Sequence, residues 1–102
     1  MCIIIYSKTG KIKDSQIKNS LKHNPHGWGF MTARKGILEI TKGIDYEKFW
    51  PVWKRRSSGP VVFHARIASH GKVNVEDCHP FLIPNHGQLA VVHNGIIPQF
   101  TF

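Results

Sequence analysis

Cysteine and acidic residues are both scarce in this chain. Its 102 residues include two cysteines, Cys2 and Cys78, and only six aspartates and glutamates. Two cysteines cannot build the dense disulfide framework of a small secreted domain, so we expect a reducing compartment. No apolar run approaches the ~20 residues that a membrane-spanning helix needs, and no basic start leads into a signal-like apolar core. These absences predict a cytoplasmic protein without membrane contact.

Apolar and aromatic residues are plentiful by contrast. They make up 41% and 11% of the chain, which favours a packed core over disorder. A chain of this length holds one domain with a modest core, and no internal repeat or low-complexity segment divides it. We therefore expect a single domain over residues 1–102.

The formal net charge is +8, but the basic residues are spread along the chain. Only Lys54, Arg55 and Arg56 form a cluster. A basic surface attracts phosphates and other anions, and salt weakens this attraction. Because dispersed positive charge is common on ordinary globular proteins, a specific nucleic-acid partner is not expected.

Stretches rich in β-branched and other apolar residues predict strands, separated by turn residues. Lys35 and Gly36 mark a hairpin turn, and residues 85–87 mark a second turn. The loop over 68–78 shows neither helical nor strand periodicity. The expected strands cover residues 2–6, 28–33, 37–41, 61–66 and 89–93, with a short apolar piece at 81–83.

Two helices are expected between these strands. Asp14 or Ser15 is expected to cap the first, which has apolar residues at i, i+4 spacing. Asp45 is expected to cap the second, and Pro51 inside it predicts a late start or a kink. The second helix has a wide aromatic face that we expect in the core: Tyr46, Phe49, Trp50 and Trp53.

Polar residues concentrate in four short stretches whose neighbours are apolar: 23–30, 63–71, 78–81 and 91–95. Three of these lie at strand ends or in the loops just after, where sites are built on rigid scaffolds. Arg66 ends an apolar strand, and its guanidinium either binds a ligand carboxylate or pairs with an acidic side chain. Asn94 and Gly95 follow another strand and offer either the donors of an oxyanion hole or an ordinary hairpin turn.

Cys2 stands at the start of the first expected strand. A cysteine there can be a small apolar residue that packs at the strand end. If Met1 is removed, Cys2 instead carries both a thiol and a free α-amine. An α-amine titrates near ~7.7–8.0 and can take the proton of the thiol, so the residue can also be a nucleophile.

The seven histidines raise the alternative of a metal site. His70, Cys78, His79 and His86 are candidate ligands, but no C-x-x-C or H-x-x-x-H pairing holds them at tetrahedral spacing. We therefore expect neither a metal nor another cofactor.

Five motifs, in this order, resemble those of the class II glutamine amidotransferases: Met-Cys at the start, NPHGWGF, HARIASHG, CHPF and VVHNGII. The resemblance implies an α+β fold, a partial N-terminal-nucleophile-hydrolase αββα arrangement in which antiparallel sheets are flanked by about two helices. It also implies glutaminase activity, in which an N-terminal cysteine attacks the side-chain amide of glutamine and releases ammonia. Residues 1–102 would be the N-terminal half of the usual domain length.

The resemblance assigns roles to the matching residues. Cys2 would be the nucleophile, and Asn94 with the backbone N–H of Gly95 would form the oxyanion hole. The residues implied to bind glutamine are Arg66, which would hold the α-carboxylate, with Ser69 and His70 lining the same pocket.

The alternative hypothesis is a catalytically inactive, amidotransferase-derived binding or inhibitor protein that acts through protein–protein contacts. Ile3 stands where the family usually has glycine after the nucleophile, and no acidic residue follows Gly95 to bind the α-amino group of glutamine. Open sheet edges would invite strand pairing in such a protein. Its partner would be a second copy, giving a homodimer, or a completing protein chain.

Overall fold

The structure is a computed structural model that describes residues 2–56, 58–67, 73–85, 88–92 and 94. All of the strand pairing in these ranges is antiparallel. The expected α+β class, with antiparallel sheets and two helices, is confirmed and is compatible with part of an αββα arrangement. The elements are β1 (Ile3–Ser7), α1 (Asp14–His23), β2 (Trp28–Arg34), β3 (Ile37–Gly43), α2 (Tyr46–Arg56), β4 (Val61–Ala65), β5 (Phe81–Leu82) and β6 (Ala90–Val91).

Four strands form the main sheet in the order β1-β4-β2-β3. Ile3 of β1 and Trp28 of β2 both pair with Ala65 of β4, from its two sides. β5 and β6 form a separate two-stranded sheet. The pairing therefore brings the start of the chain next to the end of β4.

One face of the main sheet packs against both helices. Strand side chains alternate between the two faces, so every second residue of β4 points towards the helices. This hydrophobic core joins residues of α1, α2, β2 and β4: Ile17, Leu21, Phe49, Trp53, Trp28, Phe30, Val61, Phe63 and Ala65. Each large apolar side chain buried there contributes roughly 1.5–3 kcal/mol relative to an exposed one.

The predicted aromatic face of α2 is only partly in the core. Phe49 and Trp53 are buried, and their rings stack with centroids 5.5 Å apart. Tyr46 is 50% exposed, so its predicted core position is wrong. It lies in the first turn of the helix beside a surface cleft, and its hydroxyl accepts a hydrogen bond from Trp50 Nε1 at 3.0 Å.

The start of α1 differs from expectation, whereas α2 begins directly after its expected cap, Asp45. Lys13, rather than Asp14 or Ser15, is the N-cap of α1, and its extended backbone makes no side-chain cap hydrogen bond. Asp14 lies in the first turn instead, where its negative charge is favourable next to the helix N-terminus. α2 begins at Tyr46 with Pro51 inside it, so the late start is wrong.

The predicted turn at Lys35 and Gly36 joins β2 to β3. Arg34 pairs with Ile37, which leaves a two-residue loop between the strands. Both turn residues have positive φ, 50° at Lys35 and 76° at Gly36, as a type I′ hairpin turn requires. The expected hairpin is confirmed.

Candidate functional site

The candidate site is centred on Cys2, which directly precedes β1. The backbone N–H of Ile67 donates to Cys2 Sγ at 3.4 Å, and the thiol in turn lies 3.7 Å from the Ile67 carbonyl oxygen. Cys2 is half-buried rather than enclosed. The thiol is thus held against the residue that follows Arg66 and keeps partial exposure to solvent.

Arg66 lies beside Cys2 at the same end of the main sheet. If the pairing of Ile3 with Ala65 is continued by one residue, Cys2 stands opposite Arg66. Residues directly opposite in an antiparallel pair have Cβ atoms about 4.5–5.5 Å apart. Ile3 and Ala65 face the helices, so alternation directs Cys2 and Arg66 to the other face, which we call the site face.

The backbone of Arg66 is fixed from its other side by the loop before β2. Its N–H donates to the Gly27 carbonyl at 2.8 Å, and its carbonyl accepts from the His26 N–H at 2.9 Å. His26 and Gly27 thus both stand opposite Arg66. Two residues opposite one is the arrangement of a β-bulge, a feature common next to active sites. Arg66 is only 6% exposed, although it is charged.

The second thiol, Cys78, is chemically different from Cys2. It is fully buried, with Sγ 3.4 Å from the Asn74 carbonyl oxygen and 3.7 Å from that of Gly43. Burial raises the pKa of Cys78, and the positive charges of Arg66 and Lys42 oppose this shift without overcoming it. Because the thiolate is the reactive form, Cys78 is poorly suited to be a nucleophile at neutral pH.

Two histidines stack on the site face next to Arg66. His64 and His79 are both buried, and their rings lie 4.1 Å apart with an angle of 3° between their planes. The His79 ring also contacts Phe81, with centroids 4.7 Å apart. Sequence reasoning included both histidines in polar stretches but did not predict that they meet.

Lys42 of β3 contacts the Phe81 ring of this aromatic group. Its Nζ is 4.9 Å from the centroid of the Phe81 ring, within the range of a cation–π contact. Burial lowers the pKa of Lys42, while Cys78, Glu76 and Asp77 act in the opposite direction. Charges of both signs therefore lie near Cys78: Arg66 and Lys42 are positive, and Asp77 is negative.

Of the remaining predicted site residues, only Asn94 lies within the described part of the chain. Asn94 is exposed in a bend after β6 and makes no hydrogen bond to another described residue. Ser69, His70 and Gly95 lie outside the described residues. The oxyanion hole and the two further pocket residues stay predictions.

Other expected features are tested only within the described residues. No group of three or more histidine, cysteine, aspartate or glutamate side chains there is arranged to hold a metal ion. His70 and His86, two of the four candidate ligands, lie outside those residues. Neither of the two described helices combines the length and apolar character needed to cross a membrane.

A surface cleft of about 210 Å³ lies between the end of α1 and the start of α2. Its walls include Leu21, Pro25, Gly27, Trp28 and Tyr46. No motif in the sequence pointed to this cleft. The cleft shares Gly27 with the surroundings of Cys78.

Comparison with known proteins supports the resemblance. The chain is 30% identical over 93 residues to the glutamine–fructose-6-phosphate aminotransferase (isomerizing) of Halobacterium salinarum, covering 91% of this chain and 15% of that protein. It is 39% identical over 67 residues to the Aquifex aeolicus protein of the same name, covering 65% of this chain and 11% of the relative. It is 48% identical over 33 residues to the human amidophosphoribosyltransferase, covering 31% of this chain and 6% of that protein.

No protein-family model and no solved structure matches the chain. The chain spans less than a sixth of the length of the curated relatives it matches. The similarity is therefore to one part of much larger transferases, and it supports a protein of the glutamine amidotransferase type at that coarse level. Cys2 and Arg66, which carried the resemblance in the sequence, are neighbours at one end of the main sheet.

Proposed function

We propose that this chain is a glutaminase domain of the class II amidotransferase type, with Cys2 as nucleophile and Arg66 as the group that binds the glutamine α-carboxylate. The observation that carries the proposal is the register of β1 and β4, which, continued by one residue, sets the half-buried Cys2 opposite the buried Arg66. The similarity over 91% of the chain to an aminotransferase whose name includes glutamine adds support.

The proposed reaction proceeds through a thioester. After removal of Met1, the α-amine of Cys2 takes the proton of the thiol, and the sulfur attacks the side-chain carbonyl carbon of glutamine. The tetrahedral intermediate collapses, the C–N bond breaks, and the amine returns the proton to the departing ammonia. Water then hydrolyses the thioester, releasing glutamate and restoring the thiol.

Arg66 would hold the substrate by its other end. A guanidinium offers parallel N–H donors that match a carboxylate, and charge-assisted pairs of this kind are about twice as strong as neutral hydrogen bonds. Burial of Arg66 increases the strength of such a pair because the surroundings are less polar than water. Ser69 and His70 would line the same pocket.

The oxyanion would be stabilised by Asn94 and the Gly95 N–H. Donors held in advance where negative charge develops typically account for ~100-fold or more in rate each. This assignment rests on the VVHNGII motif, in which the two residues follow a strand. Ammonia released at Cys2 would pass to an acceptor bound elsewhere.

Intact-mass analysis tests the proposal. The purified protein is weighed before and after treatment with a glutamine-like diazoketone, which alkylates a nucleophile only when the glutamine pocket is formed. We expect a starting mass without Met1 and one added label, which is lost in Cys2→Ala and kept in the matched variant Cys78→Ala. A retained Met1, or a free Cys2 that takes no label, would contradict the proposal.

The inactive binding protein remains the rival hypothesis, and no described contact favours it. The curated relatives are named as transferases. An unlabelled Cys2 in a folded protein would be the result that revives it.

A further inference from the structure

Residues 78–80, which we call the 78–80 segment, cross the site face of the main sheet. The segment touches that face at three points. Cys78 Sγ lies where a side chain of Gly27 would be, the His79 carbonyl lies against Gly29, and the His79 ring stacks on His64. The CHPF and HGWG motifs, which the proposed reaction does not use, therefore pack against each other.

Gly27 is the contact closest to Arg66. A Cβ at Gly27 would collide with Cys78 Sγ, and the residue has a φ of 149°, a conformation that side chains disfavour. The carbonyl of the same residue accepts the Arg66 N–H at 2.8 Å. Cys78 thus packs on the residue that fixes the backbone of Arg66.

The other two contacts hold the segment at a fixed height above the sheet. A Cβ at Gly29 would collide with backbone atoms of His79, so the approach requires glycine there. His64 precedes Arg66 by two residues and therefore shares the site face with it. The segment therefore covers two residues near Arg66. These are Gly27, which is hydrogen-bonded to it, and His64, which precedes it by two positions.

The chemistry of the segment suits packing rather than charge pairing. Cys78, His79 and Pro80 carry no carboxylate, and the buried Cys78 thiol is neutral at physiological pH because burial raises its pKa. The segment therefore packs against the sheet through uncharged groups.

We propose that the 78–80 segment is a positioning element for Arg66: by packing on Gly27 it sets the distance between the guanidinium and the Cys2 thiol. The inference rests on the proposed glutaminase function and adds Gly27 and Cys78 to it as positioning residues. Neither touches the substrate. A guanidinium displaced by an ångström would bind the carboxylate of glutamine with the side-chain amide out of reach of the sulfur.

The test compares four variants of the full chain by the KM for glutamine. Gly27→Ala inserts a Cβ against Cys78 Sγ, and we expect its KM to rise about tenfold. Cys78→Ala removes the sulfur from Gly27, and we expect a rise of about threefold. The double variant relieves the collision, so its KM should fall between those of the two single variants. Gly36→Ala is the matched control, because it also replaces a glycine of positive φ but meets nothing within 4 Å.

A second readout separates positioning from general damage. The rate at which iodoacetamide alkylates Cys2 needs no Arg66, so it should change by less than about twofold in every folded variant. A Gly27→Ala protein that is folded but has an unchanged KM overturns the inference, as does a double variant no better than Gly27→Ala. If Gly27→Ala does not fold, an unchanged KM in Cys78→Ala overturns it. A wild-type protein that neither hydrolyses glutamine nor takes the diazoketone overturns the proposed function itself.

Discussion

The two faces of the main sheet carry different chemistry on the same strands. On the face towards the helices, β4 contributes Val61, Phe63 and Ala65 to the hydrophobic core. On the site face, the same segment presents His64 and, one step beyond the strand, Arg66. Alternation of side chains thus lets one strand serve as both scaffold and site, and rigidity on one face orients groups on the other.

The largest expected effect is a loss of activity, without a loss of stability, when a residue of the site face is changed. Cys2→Ala should lower glutaminase activity by at least about 10³-fold, because no other described thiol can replace a half-exposed nucleophile. Its free energy of unfolding should change by less than about 1 kcal/mol, since the thiol is not part of the core. Ammonia release and urea denaturation measure the two quantities. Substantial activity in Cys2→Ala would mean that the nucleophile lies elsewhere.

The reverse pattern is expected on the helix-packed face. Phe49→Ala should lower the free energy of unfolding by about 3–5 kcal/mol, because the ring is fully buried and contacts four other aromatic rings of the core. Tyr46→Ala on the same helix is the control and should cost less than about 1 kcal/mol, since Tyr46 is half exposed. Equal losses in urea denaturation would contradict the assigned core.

A conservative substitution of Arg66 tests the role of the site face. Arg66→Lys keeps the positive charge but loses the forked donor geometry, so the KM for glutamine should rise about 10–100-fold. Arg34→Lys is the matched control, because Arg34 is exposed and, among the described residues, donates a hydrogen bond to Ser58 Oγ at 2.9 Å. Its KM should change by less than about twofold. A rise of the same size in both variants would point to a general charge effect.

The smallest effect concerns pH. Burial raises the pKa of Cys78, so above the ordinary thiol value of ~8.5 the unfolded chain loses a proton that the folded chain keeps. The contribution of Cys78 to the free energy of unfolding should then be present in full below that pH and should decline as the pH rises above it. The lowered pKa of Lys42 has the opposite effect. The unfolded chain keeps the lysine proton up to ~10.4, so this group raises the free energy of unfolding as the pH approaches that value. Urea denaturation at pH 7 and 9.5 should therefore show a steeper decline in wild type than in Cys78→Ala, and equal slopes would contradict the assignment.

Local sequence patterns predicted most of the elements. β-Branched runs located β1 and β4, and the Lys35–Gly36 turn gave the β2–β3 hairpin, because these signals depend on neighbours along the chain. The cap at Lys13 was missed because a lysine there makes no side-chain bond that a sequence pattern could reveal. Tyr46 was misassigned because helical periodicity cannot show where the sheet beneath the helix ends.

The site was predictable in part. Arg66 was conspicuous as a charge at the end of an apolar strand, and Cys2 by its position in the chain. The contacts of the 78–80 segment with Gly27 and His64 could not be predicted, because they join residues that are far apart in the sequence. The sequence placed Gly29 in an expected strand, and it did not reveal that Gly27 and Gly29 make room for another segment.

The central claim is that Cys2 and Arg66 act on the same ligand molecule from one face of the sheet. The most direct measurement is the ratio of two labelling rates at Cys2, that of a glutamine-like diazoketone and that of iodoacetamide, in wild type and Arg66→Lys. We predict that Arg66→Lys slows diazoketone labelling by at least about tenfold and leaves the iodoacetamide rate unchanged. An unchanged ratio would contradict the claim, because it would show that Cys2 reacts without help from Arg66.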